Sequence, residues 1–184
     1  MTVLALTGYP ASGKSTAASI LADADWPVVG MGDVLRDTVN WTTEDEVWDY
    51  AQQLRDEHGP HGVAVACADH LEDLLDDHEL VVLEGTRNPA ELEYLEAELG
   101  VETVVVWVAA PDESRVEWFA ARTGRGEGYE DHDVAAQKLE ERTDREHNAG
   151  MGEYFDRADA IVHNNRGLAE LANEIVWIAW ELTY

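Results

Sequence analysis

Apolar and polar positions follow one another along the chain in blocks that predict strands and helices in turn. Continuous apolar runs at residues 80–83 and 104–108 are typical of central strands that are covered on both faces. The stretches between such runs carry apolar residues at helical spacing. This alternation favours a parallel sheet wrapped by helices. The five predicted strands cover residues 3–7, 27–30, 79–83, 103–109 and 159–163.

Parallel strands place their carboxyl ends at one edge of the sheet, and ligands of such sheets bind at that edge. At 184 residues the chain fits a single α/β domain, 1–184, with a sizeable core. Polar residues that directly follow a strand are therefore the first candidates for function.

The residues after the first predicted strand, Gly8 to Ser15, read GYPASGKS and fit the P-loop pattern G-x-x-x-x-G-K-[ST]. A helix is predicted directly after them, as this phosphate-binding motif requires. Its glycines let backbone N–H groups turn inward around an anion, and the helix N-terminus adds partial positive charge. We expect Lys14 to reach the β- and γ-phosphates of ATP or GTP, and Ser15 to ligate Mg²⁺. The predicted nucleotide-binding residues of this loop are Gly8, Ala11, Ser12, Gly13, Lys14, Ser15 and Thr16.

Two charged residues follow the second strand. Asp33 is placed to cap the next helix, and Arg36 lies one helical turn further along, directed to the same edge of the sheet. Without a P-loop, a helix cap and a surface charge would explain these two residues. Beside a P-loop, both become candidates for the binding site at that edge. Two helices are predicted next, near residues 43–58 and 60–77, the first with capping-box spacing from Thr43 to Glu46.

The third strand leads into Glu84 and Arg87. An acidic residue that ends a strand beside a P-loop can hold Mg²⁺ directly or through water, as in Walker-B arrangements. The alternative role for Glu84 is to accept a hydrogen bond from a P-loop amide. Arg87 can clamp an anion with two hydrogen bonds, which a lysine cannot do as well.

These segments resemble those of adenylate kinases. The sequence GDVLR at residues 32–36 resembles their G-D-x-L-R, and LEGTR at 83–87 resembles their D-G-F-P-R segment. The similarity is closer still to a small archaeal family of P-loop proteins that are nucleotide-kinase-like or dephospho-CoA-kinase-like. That match spans nearly the whole chain and includes ADAIV at 158–162 with the asparagines that follow.

The resemblance implies an α/β P-loop NTPase fold like that of nucleoside monophosphate kinases. It implies an acceptor-binding helical insert over residues 31–78, a LID-like segment over 122–147, and acceptor binding by Arg36 and Arg87. The chain departs from adenylate kinases where Glu84 replaces an aspartate and where one residue is missing between Gly85 and Arg87. Glu91 also replaces the glutamine that reads the base of AMP, so the acceptor architecture is retained without that contact.

The most glycine-rich stretch of the chain, residues 123–129, lies among arginines. Ordinary pairing with acidic residues three or four positions away explains some of these arginines. A hinged LID that closes over the triphosphate explains them better as a group, with Arg122 and Arg125 as the leading catalytic candidates. Six of the ten arginines lie in this quarter: 115, 122, 125, 142, 145 and 157.

After the last strand, the resemblance implies that Asn164 or Asn165 contacts the adenine of the donor; the alternative is a cap for the helix that begins near Leu168. The final helix has one apolar stripe through Leu168, Leu171, Ile175 and Leu182, and a second through Trp177, Trp180 and Tyr184. Two stripes indicate burial on two sides, against the sheet and against a partner subunit in a homodimer.

The composition of the chain indicates the conditions in which the protein works and the partners it lacks. The chain has 39 acidic and 12 basic residues, a net charge of −27, and the acidity is spread along its whole length. Such a composition indicates adaptation to a salty, haloarchaeal-type cytoplasm, and the lack of a basic stripe argues against nucleic-acid binding. Only Lys14 and Lys138 are lysines, and Cys67 is the single cysteine, at a core-facing helical position. With neither a signal peptide nor a membrane-length apolar run, we expect a cytoplasmic protein without membrane association.

The function that these features favour is ATP-dependent phosphoryl transfer to a small nucleotide-like acceptor, either a nucleoside monophosphate or a molecule of the dephospho-CoA type. A hydroxyl acceptor needs a carboxylate as base, for which Asp33 ranks ahead of Glu84. The alternative is an ATP-hydrolysing switch that acts on a macromolecular partner. A sulfotransferase-like or uridylate-type protein with another donor fits less well, because the Gly-Lys-Ser and Glu84 are intact.

Overall fold

The computed structural model of the protein describes residues 1–39, 43–121, 129 and 131–183. Among these residues, five strands form one sheet in which all neighbouring strands are parallel. Each strand bound lies within about one residue of its predicted position, so the predicted sheet is confirmed. The strands are β1 (Thr2–Thr7), β2 (Val28–Gly30), β3 (Leu80–Glu84), β4 (Glu102–Ala109) and β5 (Ala160–His163).

Helices connect these strands and cover both faces of the sheet. A 3-10 turn, Met151–Glu153, precedes the shortest of them. They are α1 (Lys14–Asp23), α2 (Met31–Val39), α3 (Glu44–His58), α4 (Gly62–Leu75), α5 (Pro89–Leu99), α6 (Asp112–Ala120), α7 (His132–Asn148), α8 (Tyr154–Arg157) and α9 (Leu168–Thr183).

The strand order β2-β3-β1-β4-β5 puts the P-loop strand in the middle of the sheet. The register aligns Leu6 of β1 with Glu84 of β3, and Glu84 in turn with Gly30 of β2. The segments that follow these three strands therefore emerge side by side: the P-loop after β1, α2 after β2, and the loop with Arg87 after β3.

The helices between β2 and β3 begin largely where the sequence predicts. Thr43 is the N-cap of α3 and forms the predicted capping box with Glu46. The predicted cap at Asp33 is wrong, because α2 already begins at Met31 and Asp33 lies within its first turn. The acidic side chain there still faces the positive end of the helix dipole. The assignment of residues 31–78 as an acceptor-binding insert stays a prediction.

Two apolar clusters fill the two sides of the sheet. One lies under α2, α3, α4 and α5 and contains Cys67, which is fully buried as predicted. Burial raises the pKa of this thiol to about 12, so it behaves as a small apolar side chain. The other cluster joins Leu4 and Leu6 of β1 to Leu21 of α1 and Ile175 of α9.

A third, smaller cluster joins the P-loop to the helices beyond β4. Ala11 of the P-loop packs with Phe119 of α6 and with Ala135 and Leu139 of α7. These two helices flank residues 122–128, which lie outside the described residues together with the catalytic candidates Arg122 and Arg125. The LID-like role of residues 122–147 stays a prediction.

The final helix buries one side and exposes another. Leu171, Ile175 and Ala179 are buried against the sheet, whereas Leu168 is 63 % exposed, so the buried stripe begins one turn later than predicted. Trp177 and Trp180 are 61 % and 51 % exposed, and a homodimer through this helix stays a prediction. Among the helices of the described residues, none combines the length and apolarity that crossing a bilayer requires.

Candidate functional site

The P-loop adopts backbone conformations that favour glycine. Gly8 has φ 137° and Gly13 has φ 103°, both in the region that side chains disfavour. Gly13 is the N-cap of α1, so the helix begins at Lys14 and directs its free N–H groups into the loop. This is the geometry that lets a backbone surround an anion.

The side chain of Lys14 folds back over this loop. Its Nζ donates to the carbonyl oxygen of Gly8 at 2.7 Å and to that of Tyr9 at 2.9 Å. Burial is the main cause that lowers the pKa of Lys14 to about 7; Arg87 and Arg142 add to it, and Glu146 and Glu84 oppose it. The positive charge of Lys14 would therefore be favoured when an anion such as a phosphate group binds beside it.

Residues of the loop fit a nucleotide and Mg²⁺. The Ser12 hydroxyl is buried and has no hydrogen-bond partner among the described residues, so it is free to bind an acceptor oxygen of a ligand. Ser15 and Glu84 line the same cleft and offer a hydroxyl and a carboxylate, which are the oxygen ligands that Mg²⁺ prefers. The Thr16 side chain lies in the first turn of α1 and is exposed.

Two buried side chains from distant elements hold the P-loop from outside. Arg115 of α6 donates from Nε to the carbonyl oxygen of Pro10 at 2.9 Å, and from its terminal nitrogens to Asp112 and Thr143, each at 2.9 Å. It therefore supports the loop backbone and does not line the cleft in front of it. Asn164 donates from Nδ2 to the carbonyl oxygen of Ser12 at 3.0 Å. Its predicted contact with adenine stays a prediction.

In front of the P-loop lies a cleft of about 970 Å³, part of it open to solvent. Its walls come from the P-loop, α2, α3, α4, the loop after β3, and α7. The structure brings the predicted residues Ala11, Lys14, Ser15, Asp33, Arg36, Glu84 and Arg87 together here.

The charge of this cleft is opposite to that of the chain. Among the described residues, three acidic side chains line it: Asp33, Glu84 and Glu146. Six of the chain's 12 basic residues line it as well: Lys14, Arg36, Arg55, Arg87, Arg142 and Arg145. In a protein of net charge −27, such a concentration of cations gives this cleft an electrostatic character that suits a polyanion.

The two acceptor candidates on α2 interact with each other. Arg36 forms an ion pair with Asp33 three residues earlier. The Asp33 carboxylate also lies against Gly30 at the end of β2, where a Cβ atom would collide with it. Both side chains thus lie at the carboxyl edge of the sheet, as predicted.

On the opposite wall, Arg87 meets the helix α7. Its Nε lies 3.4 Å from Oε1 of Glu146, and the same oxygen lies 3.3 Å from Nε of Arg142. Glu146 is only 2 % exposed. Burial opposes its charge, but Arg87, Lys14 and Arg142 together lower the pKa of Glu146 below its ordinary value.

A stacked group of side chains joins α3 to α7, and the sequence reasoning missed two of its three members, Trp48 and Arg55. The guanidinium of Arg145 lies 4.7 Å from the ring centroid of Trp48, and that of Arg55 lies 5.6 Å from it. Arg145 also pairs with Asp45 at 3.4 Å, so α7 and α3 meet across the cleft. Trp48 and Arg55 are seven residues apart on one predicted helix, which places them on the same helix face. This spacing is the signal in the sequence that could have identified them as neighbours.

Glu91, at the position of the base-reading glutamine of adenylate kinases, has a structural role. It is fully buried and accepts hydrogen bonds from the backbone N–H of Arg87 at 2.6 Å and of Asn88 at 3.2 Å. Its other oxygen pairs with Arg55 at 3.2 Å. Burial raises the pKa of Glu91, although Arg55 and the two backbone N–H groups act to lower it. The carboxylate therefore fixes two arginine-bearing segments and has no free oxygen for a base.

The arginines singled out in the sequence separate into distinct groups. Arg142 and Arg145 line the cleft, Arg115 supports the P-loop, and Arg157 pairs on the surface with Glu93. Arg122 and Arg125 lie outside the described residues.

Comparisons with known proteins show which family model and which relatives this chain matches. A family model described as an AAA domain, AAA_18, matches residues 4–146. The UPF0200 protein of Halobacterium salinarum is 35 % identical over 171 residues, covering 91 % of this chain and 87 % of the relative. That of Methanosarcina barkeri is 34 % identical over 180 residues, covering 96 % and 93 %. A UPF0200/UPF0201 protein of Archaeoglobus fulgidus is 33 % identical over 187 residues, and the chain spans 56 % of its length.

Solved structures share the fold. TT1252 from Thermus thermophilus superposes with a TM-score of 0.65 at 21 % identity, over 100 % of this chain and 98 % of that one. A shikimate kinase from Bacteroides thetaiotaomicron gives a TM-score of 0.61 at 12 % identity, over 100 % and 99 %. At these identities the likeness concerns the P-loop kinase-like fold alone.

Proposed function

The chain belongs to the UPF0200 family and carries the AAA_18 domain of the P-loop kinase-like type, and from that premise we propose that it is a phosphotransferase. It moves the γ-phosphoryl group of ATP or GTP to a small phosphate-bearing acceptor, such as a nucleoside monophosphate or a molecule of the dephospho-CoA type. The observation that carries the proposal is the cationic cleft in front of the P-loop of an otherwise acidic protein.

The donor side of the cleft is the P-loop. Its amides and the Ser12 hydroxyl bind the phosphates, and Lys14 neutralises charge on the group that is transferred. Ser15 and Glu84 would hold Mg²⁺, which when bound supplies further charge neutralisation at the β- and γ-phosphates. Arg142 on α7 faces the same space.

The acceptor side consists of Arg36 on α2 and Arg87 after β3. In the reaction, an acceptor oxygen forms a bond to the γ-phosphorus while the bond to the bridging oxygen of the donor breaks, and the nucleoside diphosphate leaves. A phosphate acceptor attacks with an oxygen that is already anionic and needs no base. A hydroxyl acceptor would transfer its proton to Asp33, which lies at the edge of the cleft beside Arg36.

Cations on two sides of one cleft hold two anionic substrates at close range, which electrostatic repulsion would otherwise keep apart. Wall residues Leu35, Val47, Ala51 and Val63 give the acceptor region an apolar floor. Such a lining suits an acceptor with an uncharged body and an anionic group at one end.

A screen of acceptors tests the proposal. The protein is incubated with Mg-ATP or Mg-GTP in molar KCl, with each nucleoside monophosphate or with dephospho-CoA, and release of the nucleoside diphosphate is measured. We expect release to depend on one class of acceptor. Slow hydrolysis that no small acceptor accelerates, and that a macromolecule stimulates, would instead identify an ATP-hydrolysing switch.

A further inference from the structure

Glu146 occupies an unusual place for an acidic side chain. It lies on the wall of a cleft suited to phosphates, and it is almost fully buried. One carboxylate oxygen, Oε1, interacts with both Arg87 and Arg142. The other, Oε2, is buried and has no hydrogen-bond partner among the described residues.

The two arginines belong to different walls of the cleft. Arg87 lies in the loop between β3 and α5, on the acceptor side, and Arg142 lies on α7. A carboxylate and a phosphoryl group present similar oxygen pairs to a guanidinium, so both groups compete for the same N–H donors. The Glu146 oxygen between the two arginines thus stands where an oxygen of a substrate phosphate would bind.

We propose that Glu146 is an internal anion that holds Arg87 and Arg142 in the ligand-free protein and yields them to a phosphoryl group of the substrate. This inference rests on the proposed function for the identity of that group. Glu146 is a positioning residue, because it acts through the two arginines.

Two opposing consequences follow from the charge. Lys14, Arg87 and Arg142 all attract the Glu146 carboxylate, which therefore offsets their mutual repulsion when the cleft holds no ligand. The same negative charge repels an incoming phosphate, and the carboxylate competes with that phosphate for the two arginines. Glu146 thus stabilises the fold at the expense of anion affinity, and it promotes release of the phosphorylated product.

Titration with pyrophosphate tests this balance without requiring the acceptor. Calorimetry at fixed KCl concentration compares the wild-type protein with Glu146→Gln, which keeps the shape of the side chain and removes its charge. We expect Glu146→Gln to bind pyrophosphate about tenfold more tightly than the wild type. This is the effect of one charged hydrogen bond from an arginine for which the carboxylate no longer competes. The matched control is Glu140→Gln, because Glu140 is exposed on the same helix, and its affinity should equal that of the wild type.

Thermal unfolding supplies a second readout. We expect Glu146→Gln to unfold at a lower temperature without ligand, yet to gain more stability from pyrophosphate than the wild type does. A purely structural role for Glu146 predicts the lower unfolding temperature with equal or weaker pyrophosphate binding, and that result would overturn the proposal.

A second variant keeps the proposal testable if Glu146→Gln does not fold. Glu146→Asp retains the charge on a stem too short to bridge both arginines, so we expect it to bind pyrophosphate more tightly than the wild type. Affinity equal to or below the wild type overturns the inference but leaves the phosphotransferase proposal intact. If pyrophosphate binds more tightly as expected but no acceptor supports nucleoside diphosphate release, the function fails and the inference stands. Absence of pyrophosphate binding in every variant overturns both.

Discussion

The side-chain amide of Asn164 donates a hydrogen bond to the carbonyl oxygen of Ser12 at 3.0 Å, across 152 positions of sequence. It lies so close that a Cβ atom on Gly13 would collide with its Nδ2. The loop after β5 thereby fixes the second half of the P-loop from behind. Arg115 fixes the first half through Pro10, so the shape of the phosphate-binding loop depends on both of the last two strands and their following segments.

We predict that Asn164→Ala weakens Mg-ATP binding as well as the fold. The substitution leaves the buried Ser12 carbonyl without its donor, which costs about 1–3 kcal/mol. Calorimetry with Mg-ATP and thermal unfolding measure the two effects. Asn165→Ala is the matched control, because this neighbouring asparagine is exposed. Unchanged nucleotide affinity in Asn164→Ala would contradict a role in shaping the P-loop.

A second prediction concerns the two lysines of the chain. Lys14→Ala should reduce ATP turnover at least ~10²-fold, since it removes a preorganised cation from the transferred phosphoryl group. Lys138→Ala is the control: Lys138 is half-exposed and pairs with Glu141 at 2.7 Å on the surface of α7. Steady-state release of nucleoside diphosphate is the measurement. A similar loss in both variants would point to a general effect of lost positive charge.

The strand pattern and the P-loop could be predicted from the sequence because both are local signals. A run such as residues 104–108 defines a buried strand on its own, and the residues that follow parallel strands must meet at one edge. The P-loop motif identified Lys14 as a candidate, and Asp33, Glu84 and Arg87 were identified because each ends a strand or follows one by three residues.

The residues that were missed lie in helix interiors. Glu146 and Trp48 join the site because α7 and α3 face each other across the cleft, and neither helix carries a motif that fixes its orientation. The buried role of Glu91 was equally hidden, since its partner Arg55 lies 36 residues earlier. Contacts of this kind depend on how helices and loops pack against one another. The spacing of residues along a single sequence does not show that packing.

We next predict that Arg87→Ala affects the acceptor more than the donor. Losing a charged hydrogen bond should weaken acceptor binding by about 1.5–3 kcal/mol and leave ATP affinity nearly unchanged. The two KM values, measured separately, give the comparison. Arg157→Ala is the control, because Arg157 pairs with Glu93 on the surface outside the cleft. Equal losses for donor and acceptor would contradict the assignment of Arg87 to the acceptor side.

Replacing Glu91 by glutamine restores the residue that reads the base in adenylate kinases, yet we predict loss of stability and no gain of AMP specificity. Glu91 is buried between the N-terminus of α5 and Arg55, and removing its charge leaves that arginine unpaired. We expect a cost of about 3 kcal/mol, or about 6–12 °C in Tm for a chain of this length. Glu93→Gln, on the exposed side of α5, should leave Tm nearly unchanged. A new preference for AMP at unchanged Tm would contradict the structural role.

The last prediction concerns salt, because a net charge of −27 on 184 residues opposes the compact state. Half of the 12 basic residues that could offset this charge line the cleft, so acidic side chains on the outer surface repel one another with few basic partners. At 0.1 M salt the screening length is about 10 Å, and at 1 M it is about 3 Å, which is short enough to suppress that repulsion. We therefore expect Tm, measured by circular dichroism, to rise steeply between 0.1 and 2 M KCl.

The cause can be separated from a general salting-out effect with a variant that neutralises exposed acids outside the cleft. This variant carries amides in place of four exposed acidic side chains on α6 and α7: Glu113, Glu117, Glu140 and Asp144. If repulsion governs stability, this variant has a higher Tm in 0.1 M KCl and a shallower dependence on salt than the wild type. Parallel curves for the two proteins would show that salt acts through burial of apolar surface, which both proteins share.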